Sequence, residues 1–447
     1  MLRPKLCIGM SLAPTWLSGE GWRAENSGID GLYSSDLALD IARRAEAAHL
    51  DFAFRPDASY LPVEVLEQSF GFSSLDPTLM MAALTRETSK IGLVTTISTT
   101  FGHPYTAARQ MMSLHWLSRG RSGWNVVTAL QGNENFGLRE MPASDDRYDR
   151  AEEFTEVVQR LWDSFPSDAL LVDRAAGRYA DTDLILPIDH HGADFAVKGP
   201  LNIPQYPGPR PALMQAGASP RGVDFAGRVA DMVFGLTPDM ATALDQRKAL
   251  SVRARAHGRH PRDVRLLPGL SLYLGATQAE ARDLFMATHA RVTRAQRIER
   301  LAKATGLTLS QWPEDRRITG ADLPRGTKRT GQYAKLLDLI DSDGPTLGAL
   351  LERPETLASF HWQVIGTVAD AQAEITRWFE AGAIDGFMAV PGGSVRSLDL
   401  TLEELVPRLA EAGLFRSAYS ADTLMGHLLE DLPDAGDEAV AARAGQR

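Results

Sequence analysis

The sequence predicts an α/β protein that forms a (β/α)8 TIM barrel with insertion segments. Strand-like and helix-like stretches alternate along most of the 447 residues, and this alternation is typical of a parallel sheet. Eight apolar or β-branched stretches qualify as strands, and eight strand–helix units over this length suit a closed barrel. An open doubly wound sheet is the alternative that the same alternation allows.

The predicted elements follow from the spacing of apolar residues. The candidate strands are residues 6–10, 52–54, 91–97, 124–128, 212–215, 232–234, 266–274 and 387–390. Between them, apolar residues that recur every three to four positions predict helices. The predicted helices include residues 36–48, 106–117, 223–230, 369–381 and 398–412, of which the last two are the clearest.

We expect a single barrel domain over residues 1–430, interrupted by insertions at about 173–211 and 288–354. The first insertion is rich in proline, which lacks the donor that a regular strand ladder needs, so it predicts a loop. The second has helical parts around a polar segment, 311–330, and long insertions at a barrel rim commonly act as lids. Residues 431–447, rich in Ala, Asp, Gly and Glu, are expected to form a flexible tail.

Composition excludes several classes of protein. Hydrophobic residues make up 44% and charged residues 23% of the chain, as in an average soluble globular protein. The net charge of −10 makes nucleic acid a poor partner. No apolar run reaches the roughly 18 residues of a membrane helix, and the first residues do not resemble a signal peptide. We therefore expect a cytoplasmic protein with no membrane partner.

Familiar catalytic motifs are absent from the sequence. There is no dinucleotide fingerprint, no phosphate-binding P-loop and no His-Glu-x-x-His. The single cysteine, Cys7, excludes a disulfide framework and a cysteine-type zinc site. Gly217-Ala218-Ser219-Pro220-Arg221 resembles a nucleophile elbow, but Arg221 stands where the elbow needs a second glycine. His190 and His191 are adjacent and would point apart, so they predict a loop role, and we predict no metal site.

The run Gln215-Ala216-Gly217-Ala218-Ser219 is the strongest local signal. It lies between a predicted strand and a predicted helix, where Ser219 is a natural N-cap and Pro220 suits the first helical turn. The free backbone donors and the positive helix end make an anion site, and a late strand-to-helix loop is the customary phosphate position in a barrel. Physics alone leaves phosphate binding and plain capping equally supported, because both use the same geometry.

Polar residues also occur at the ends of other predicted strands. Asn125 lies within a β-branched strand, and its amide matches the imide edge of a flavin ring, although a core Asn bonded to backbone is the alternative. Thr96 and Asp57 lie at strand ends, where barrel enzymes place function. Tyr148 begins a helix, and its hydroxyl could bind a phosphate, or its ring could simply pack beside Phe154. Together these groups predict a barrel mouth that holds a ligand.

Short matches in the same order along nearly the whole chain carry a family resemblance. They include Gly21-Trp22-Arg23, Pro56-Asp57, Ile91-Gly92-Leu93, residues 96–100, residues 117–128, Arg147-Tyr148, Gly199-Pro200-Leu201, residues 215–219, Asp385-Gly386-Phe387 and Gly413-Leu414-Phe415-Arg416. On these residues the sequence resembles the bacterial-luciferase-like flavin-dependent monooxygenases. The resemblance is to the branch of the nitrilotriacetate, pristinamycin and dibenzothiophene-sulfone monooxygenases.

The resemblance implies a barrel that binds reduced FMN supplied by a separate NAD(P)H:flavin reductase. Molecular oxygen would form a flavin hydroperoxide, which oxygenates a small organic substrate, and the protein would be a homodimer or homotetramer. Asp57, Thr96 and Asn125 match positions that line the family's isoalloxazine ring. Tyr148 and Ser219 match its phosphate positions.

The sequence departs from the family pattern at several positions. Many members have His four residues before the tyrosine of the phosphate site, where this chain has Ser144. A serine hydroxyl can still donate to a phosphate, so we keep Ser144 among the expected cofactor ligands, but it carries no charge and would bind more weakly. Pro56 stands where alanine is common, and it fixes the backbone and removes a donor. Residues 208–211, Gly-Pro-Arg-Pro, replace the usual Gln-Gly-Arg-Pro.

Two other functions compete with a monooxygenase: a deazaflavin-dependent dehydrogenase of the same superfamily and a non-catalytic flavin-binding protein. No catalytic acid or base can be named, because His103, His115 and His361 are candidates by residue type only. The second insertion carries a cluster of positive charges that suits either an anionic substrate or a solvated loop. These charges are Arg316, Arg317, Arg325, Lys328 and Arg329.

Overall fold

The computed structural model describes residues 4–217, 219–327, 333–358 and 361–430. The tail predicted at 431–447 and the insertion residues Lys328 and Arg329 lie outside these ranges. The strands are β1 Cys7–Ser11, β2 Phe52–Phe54, β3 Gly92–Ser98, β4 Ser122–Val127, β5 Leu170–Asp173, β6 Arg178–Ala180, β7 His190–His191, β8 Ala196–Val197, β9 Ala212–Ala216, β10 Met232–Gly235, β11 Arg265–Leu274, β12 Trp362–Gly366 and β13 Gly386–Pro391.

Eight of these strands close a parallel barrel in the order β1, β2, β3, β4, β9, β10, β11 and β13. The ring closes because β13 pairs with β1, with Gly386 opposite Cys7, while β10 pairs with β11. All the pairings in the ring are parallel. The predicted (β/α)8 barrel is therefore confirmed, and the open sheet is excluded. Each of the eight predicted strands corresponds to one strand of the ring.

Helices surround the barrel. They are α1 Asp36–Ala47, α2 Pro77–Leu84, α3 Pro104–Leu117, α4 Ser144–Asp163, α5 Pro220–Val229, α6 Met240–Ala256, α7 Gln278–Thr288, α8 Arg294–Thr305, α9 Ala334–Asp343, α10 Leu347–Leu351, α11 Pro354–Leu357, α12 Val368–Glu380, α13 Val395–Asp399, α14 Val406–Glu411 and α15 Leu424–Leu429. A π-helical segment, Leu400–Leu405, joins α13 to α14. Within the described ranges, every helix is too short or too polar to cross a lipid bilayer.

The barrel interior is apolar, and one end of it is filled by the last helix. Leu424 and Leu428 of α15 belong to the same buried cluster as Phe52, Val94 and Met214 from the strands. Strand glycines make this possible, since a Cβ atom on Gly92 would lie 2.6 Å from Leu424. Because α15 closes the N-terminal end of the strands, the opposite, carboxyl end is left as the mouth of the barrel.

The two insertions fold differently. The loop predicted at 173–211 is wrong in part, because β5–β6 and β7–β8 form two short antiparallel hairpins. These pairs use only a few residues, so the prolines between them leave the ladders intact. The second insertion has its own buried apolar cluster, built by α8, α9 and α10. The domain limits themselves remain a prediction.

Candidate functional site

Thr96 and Asn125 form a buried polar pair on neighbouring strands. They are register partners on β3 and β4, and their side chains are buried. The amide nitrogen of Asn125 donates to the Thr96 hydroxyl at 3.1 Å, and that hydroxyl donates to the carbonyl of Arg55 at 2.8 Å. Because Val94 belongs to the interior cluster, Thr96, two residues further along the strand, faces the barrel interior as well.

The carbonyl oxygen of the Asn125 side chain has no hydrogen-bond partner among the described residues, although it is buried. Leaving such an acceptor unpaired costs about 1–3 kcal/mol. The alternative of a core asparagine bonded to backbone does not hold for this residue, since its amide nitrogen bonds a side chain and its oxygen bonds nothing described. The free acceptor suits a ligand that brings an N–H donor into the mouth.

The loop after β9 has the geometry of an anion site. Ser219 caps α5, and its side chain accepts from the N–H of Gly222 at 3.0 Å. Pro220 contributes no N–H, so the N–H of Arg221 is among the first-turn donors that lack an intrahelical acceptor. These donors and the positive end of the helix favour a negative group outside the cap. The cap at Ser219 is observed, and it leaves the first-turn donors of α5 compatible with anion binding.

The hydroxyl of Tyr148 lies against this same loop. A Cβ atom added to Gly217 or Gly222 would lie 2.8 or 2.6 Å from the Tyr148 oxygen. The Tyr148 ring is buried and contacts Phe225 of α5, with 6.1 Å between ring centroids. The packing of α4 on α5 thus brings Tyr148 and Ser219 together, which are far apart in sequence. The two glycines are required here because a side chain would displace the hydroxyl.

Ser144 and Asp57 have no direct side-chain contact with the other predicted site residues among the described hydrogen bonds. Ser144 is exposed and begins α4, one turn before Tyr148 and on the same side of the helix. The side chain of Asp57 reaches solvent beyond β2, yet desolvation by its loop raises the pKa of the carboxyl against a lowering hydrogen bond from Ala58. The structure links Asp57 to the Thr96–Asn125 pair only through the neighbouring backbone of Arg55.

Gln215 was part of the predicted run but was not assigned a role. Its side chain is buried, and its amide nitrogen donates to the carbonyl of Ala216 at 2.9 Å. The amide oxygen is buried without a partner among the described residues. The sequence did carry a signal for a functional role of Gln215, because this polar residue lies one position before the end of an apolar strand. Gln215 thus offers a second unpaired acceptor beside Gly217.

The three histidines named by residue type have different surroundings. His103 caps α3, while His115 bonds Ser122 and the Pro209 carbonyl, both at 2.8 Å. His361 lies near the mouth beside Phe234, with 5.9 Å between ring centroids, and burial lowers its pKa to about 4. Of the three, only His361 is placed to face a ligand in the mouth.

A further pair, Tyr273 and His289, was missed by sequence reasoning. The Tyr273 hydroxyl and the His289 Nε2 atom lie 3.1 Å apart. Burial raises the pKa of Tyr273 to about 12 and lowers that of His289 to about 4, so both are neutral near pH 7. The pair joins the end of β11 to the end of α7, a contact that no local sequence pattern encodes.

His190 and Glu153 anchor the β7–β8 hairpin to α4. The His190 Nε2 atom lies 2.9 Å from Glu153, which also accepts from the N–H groups of Asp194 and Phe195. The Arg160 guanidinium lies 3.1 Å from the other ring nitrogen of His190. Because Arg160 can only donate, this nitrogen accepts, and the histidine holds its proton on Nε2. The loop role predicted for His190 is therefore wrong in form, because the residue lies in strand β7 and anchors a hairpin.

Comparison with known proteins places these features in a family. Residues 23–383 match the model of the luciferase-like monooxygenases. The chain is 35% identical to the dibenzothiophene-sulfone monooxygenase of Rhodococcus erythropolis over 91% of this chain and 92% of that one. It is 33% identical to nitrilotriacetate monooxygenase component A of Aminobacter aminovorans, with the same coverages.

A solved structure shows the same fold. The structure of a riboflavin lyase with modified FMN and the substrate riboflavin is 31% identical, covers 95% of this chain and 96% of its own, and superposes with a TM-score of 0.79. Together with the family match over most of the barrel, this likeness covers every strand that carries a candidate site residue. The chain therefore belongs to the luciferase-like monooxygenases, which are flavin-dependent oxidoreductases.

Proposed function

We propose that this chain is the oxygenase component of a two-component, FMN-dependent monooxygenase. A separate NAD(P)H:flavin reductase supplies reduced FMN, which gives the electrons that activate molecular oxygen when it is bound. The product is an oxygenated small organic molecule. The two-component arrangement is supported by a relative at 33% identity that is named component A of its enzyme.

The observation that carries the proposal is the buried, unpaired carbonyl oxygen of Asn125 at the barrel mouth. The edge of a flavin ring carries an imide N–H that this oxygen can accept. Thr96 holds the amide in place, because its hydroxyl accepts from the Asn125 nitrogen and is itself tied to the Arg55 carbonyl. The fixed amide would orient the ring without further rearrangement.

The anion site supports FMN as the form of flavin. The hydroxyls of Ser219 and Tyr148 and the first-turn donors of α5 lie around one loop, and together they suit a phosphate group. The solved riboflavin lyase at 31% identity contains a modified FMN, which favours FMN over a deazaflavin for this chain. Ser144, one turn before Tyr148, would add a neutral donor, and Asp57 would lie at the ring end.

Aromatic and aliphatic side chains form part of the wall of the mouth. The rings of Phe54 and Phe234 lie 6.2 Å apart between centroids, and Met214 lies in the same interior cluster. Apolar walls exclude water from the reacting centre and accept the apolar part of a small organic substrate. His361, neutral near pH 7 because burial lowers its pKa to about 4, adds one hydrogen-bonding group to this wall.

The test is equilibrium binding of photoreduced FMN under nitrogen, followed by rapid mixing with oxygenated buffer. We expect saturable binding and reoxidation kinetics that differ from those of free flavin. Ser219→Asp keeps a good helix cap but places a negative charge at the phosphate, so FMN affinity should fall at least about tenfold. The proposal fails if the wild-type protein does not bind reduced FMN, or if the flavin reoxidises as it does in buffer.

The matched control is Thr277→Asp. Thr277 caps α7 in the same way, with its side chain accepting from the N–H of Glu280 at 3.1 Å. The substitution adds the same charge to a different helix terminus. Its flavin affinity should equal that of the wild type, so a loss shared by both variants would point to a general charge effect.

A further inference from the structure

Arg221 is the basic residue closest in sequence to the cap Ser219, but its guanidinium is bound to carboxylates of α4. It lies in the first turn of α5, two residues after the cap Ser219. Its guanidinium binds two carboxylates of α4, Asp149 and Glu152, with 2.9 Å to the Glu152 oxygen. Glu152 also accepts from Arg228 at 2.8 Å. These ion pairs connect the two helices whose N-termini frame the site.

The ion pairs lie beside the expected phosphate position. Asp149 directly follows Tyr148, whose hydroxyl contacts the loop at Gly217 and Gly222. A cleft of about 680 Å³ opens between α4, α5 and α6 at this point. Its charged lining residues are Asp145, Asp149, Arg221, Asp224 and Arg253. Arg253 and Asp224 pair with each other at 3.4 Å.

The other arginines near the start of α4 are also directed away. Arg147 donates to the carbonyl of Pro142, and Arg150 donates to the carbonyl of Thr99 at 3.2 Å and to Asp194 at 3.1 Å. The donors that do face the loop, from Ser219, Tyr148 and the helix backbone, are all neutral. Arginine is the strongest side-chain partner for a phosphate because it can donate two charge-assisted hydrogen bonds.

We propose that Asp149 and Glu152 withhold Arg221 from the phosphate end of the flavin, so that FMN is held by neutral donors and exchanges readily. This inference rests on the proposed function, because an oxygenase that receives its flavin from a reductase has to exchange it in every cycle. Neutralising both carboxylates removes the two ion pairs of Arg221, and the nearby Asp224 carboxylate is itself paired with Arg253 and His257. Its side chain, near the N-terminus of α5, is then free to turn towards the anion.

The test compares the binding of FMN and riboflavin, both photoreduced and both under nitrogen, to wild type and to the double variant Asp149→Asn/Glu152→Gln. Riboflavin has no phosphate and reports on the ring site alone. We expect the variant to bind FMN roughly tenfold more tightly at low salt, with the gain shrinking as salt rises. Riboflavin affinity should not change. Adding Arg221→Gln to the double variant should abolish the gain.

Matched charge controls separate this effect from net charge. Glu156→Gln/Asp183→Asn removes two negative charges at exposed positions, one of them on α4. This control should bind both flavins as the wild type does. The inference is overturned if the Asp149/Glu152 variant binds FMN no more tightly, if riboflavin gains equally, or if the gain survives Arg221→Gln. A wild-type protein that binds neither flavin would instead refute the proposed function.

Discussion

The two ends of the barrel differ in how their buried polar groups are paired. At the closed end, the Arg416 guanidinium lies 2.7 Å from Asp51 and 3.0 Å from Glu430, and the Arg416 and Asp51 side chains are almost fully buried. At the mouth, the buried groups without a hydrogen-bond partner among the described residues include the neutral amide oxygens of Asn125 and Gln215. A buried ion-pair network therefore stabilises the closed end, while the mouth carries two neutral amide acceptors that suit a ligand donor.

We therefore expect the closed end of the barrel to contribute mainly to stability and the mouth mainly to ligand binding. Asp51 also accepts from the N–H of Ile8 at 2.7 Å, so the closed end ties the start of β2 to β1 and to the C-terminal segment. At the mouth, the Arg55 guanidinium donates to the Leu12 carbonyl at 2.7 Å, and Thr96 and Asn125 make a short chain of hydrogen bonds that ends in an unpaired acceptor. Substitutions at the two ends should consequently change different measurements.

The largest effect is expected for Arg416→Met at the closed end. The substitution leaves Asp51 and Glu430 without their buried counterion, and breaking a buried pair in this way costs about 3–5 kcal/mol. Urea denaturation followed by circular dichroism would measure the free energy of unfolding. Arg408→Ala is the control, since Arg408 is exposed and lies 3.6 Å from Glu404, and such surface pairs contribute less than about 1 kcal/mol. Equal losses in the two variants would refute the comparison.

The second prediction concerns pH and uses His115, near the start of β4. Burial lowers the pKa of His115 to about 4, against a hydrogen bond to the Pro209 carbonyl. The unfolded chain, with a histidine pKa near 6.5, binds the proton first, so stability is present above about 6.5 and is lost as the pH falls towards 4. The stability difference between wild type and His115→Gln should shrink by about 3 kcal/mol between pH 7 and pH 4.

The measurement is urea denaturation of both proteins at several pH values across this window. A stability difference that stays constant with pH would show that His115 is not buried in its neutral form. Flavin affinity at pH 7 should be the same in both proteins, because His115 bonds Ser122 and Pro209 rather than any group at the mouth. The flavin affinity therefore shows whether the substitution affects only the stability of the fold or also the binding site at the mouth.

The third prediction concerns the mouth, where a substitution should change flavin affinity more than stability. Asn125→Ala removes the unpaired acceptor together with the hydrogen bond to Thr96. Removing the unpaired acceptor stabilises the folded protein and losing the hydrogen bond destabilises it, so the free energy of unfolding should change by less than about 1 kcal/mol. The affinity for reduced flavin should fall by about 1–3 kcal/mol, which is roughly five- to 150-fold.

Anaerobic titration and urea denaturation of the same Asn125→Ala preparation would test both halves of this prediction. Asn133→Ala is a suitable control, because Asn133 is a partly exposed residue whose amide donates to the Leu138 carbonyl. An Asn125 variant that loses stability but keeps its flavin affinity would assign Asn125 to the core and remove the main support for the proposed function.

The barrel itself could be predicted because its strands are buried on both faces and form continuous apolar runs. Helix starts were placed less well: α5 begins at Pro220 and α3 at Pro104, two or three residues before the predicted limits. In each case proline occupies the first turn, where its missing N–H costs nothing. The cap at Ser219 was visible because it is a local signal.

The contacts that complete the site could not be read from the sequence. The position of the Tyr148 hydroxyl against Gly217 and Gly222 depends on how α4 packs on α5. The pairing of Arg221 with Glu152 depends on the same packing across many residues of chain. Such contacts are set by tertiary structure rather than by propensity or periodicity. The resemblance predicts which residues bind the cofactor, and the structure shows which of those residues contact one another.

The smallest expected effect on stability is for Gly222→Ala. This variant separates stability from flavin binding because it should change only the binding of FMN. Alanine has a higher helix propensity than glycine by up to about 1 kcal/mol, and Gly222 lies in the first turn of α5. The new Cβ atom would lie 2.6 Å from the Tyr148 oxygen, so the hydroxyl must move off the loop. We expect unfolding free energy within about 1 kcal/mol of wild type, with weaker binding of FMN but unchanged binding of riboflavin. If both flavins lost affinity equally, Tyr148 would act on the ring or the fold, and the assignment of this loop to the phosphate would be wrong.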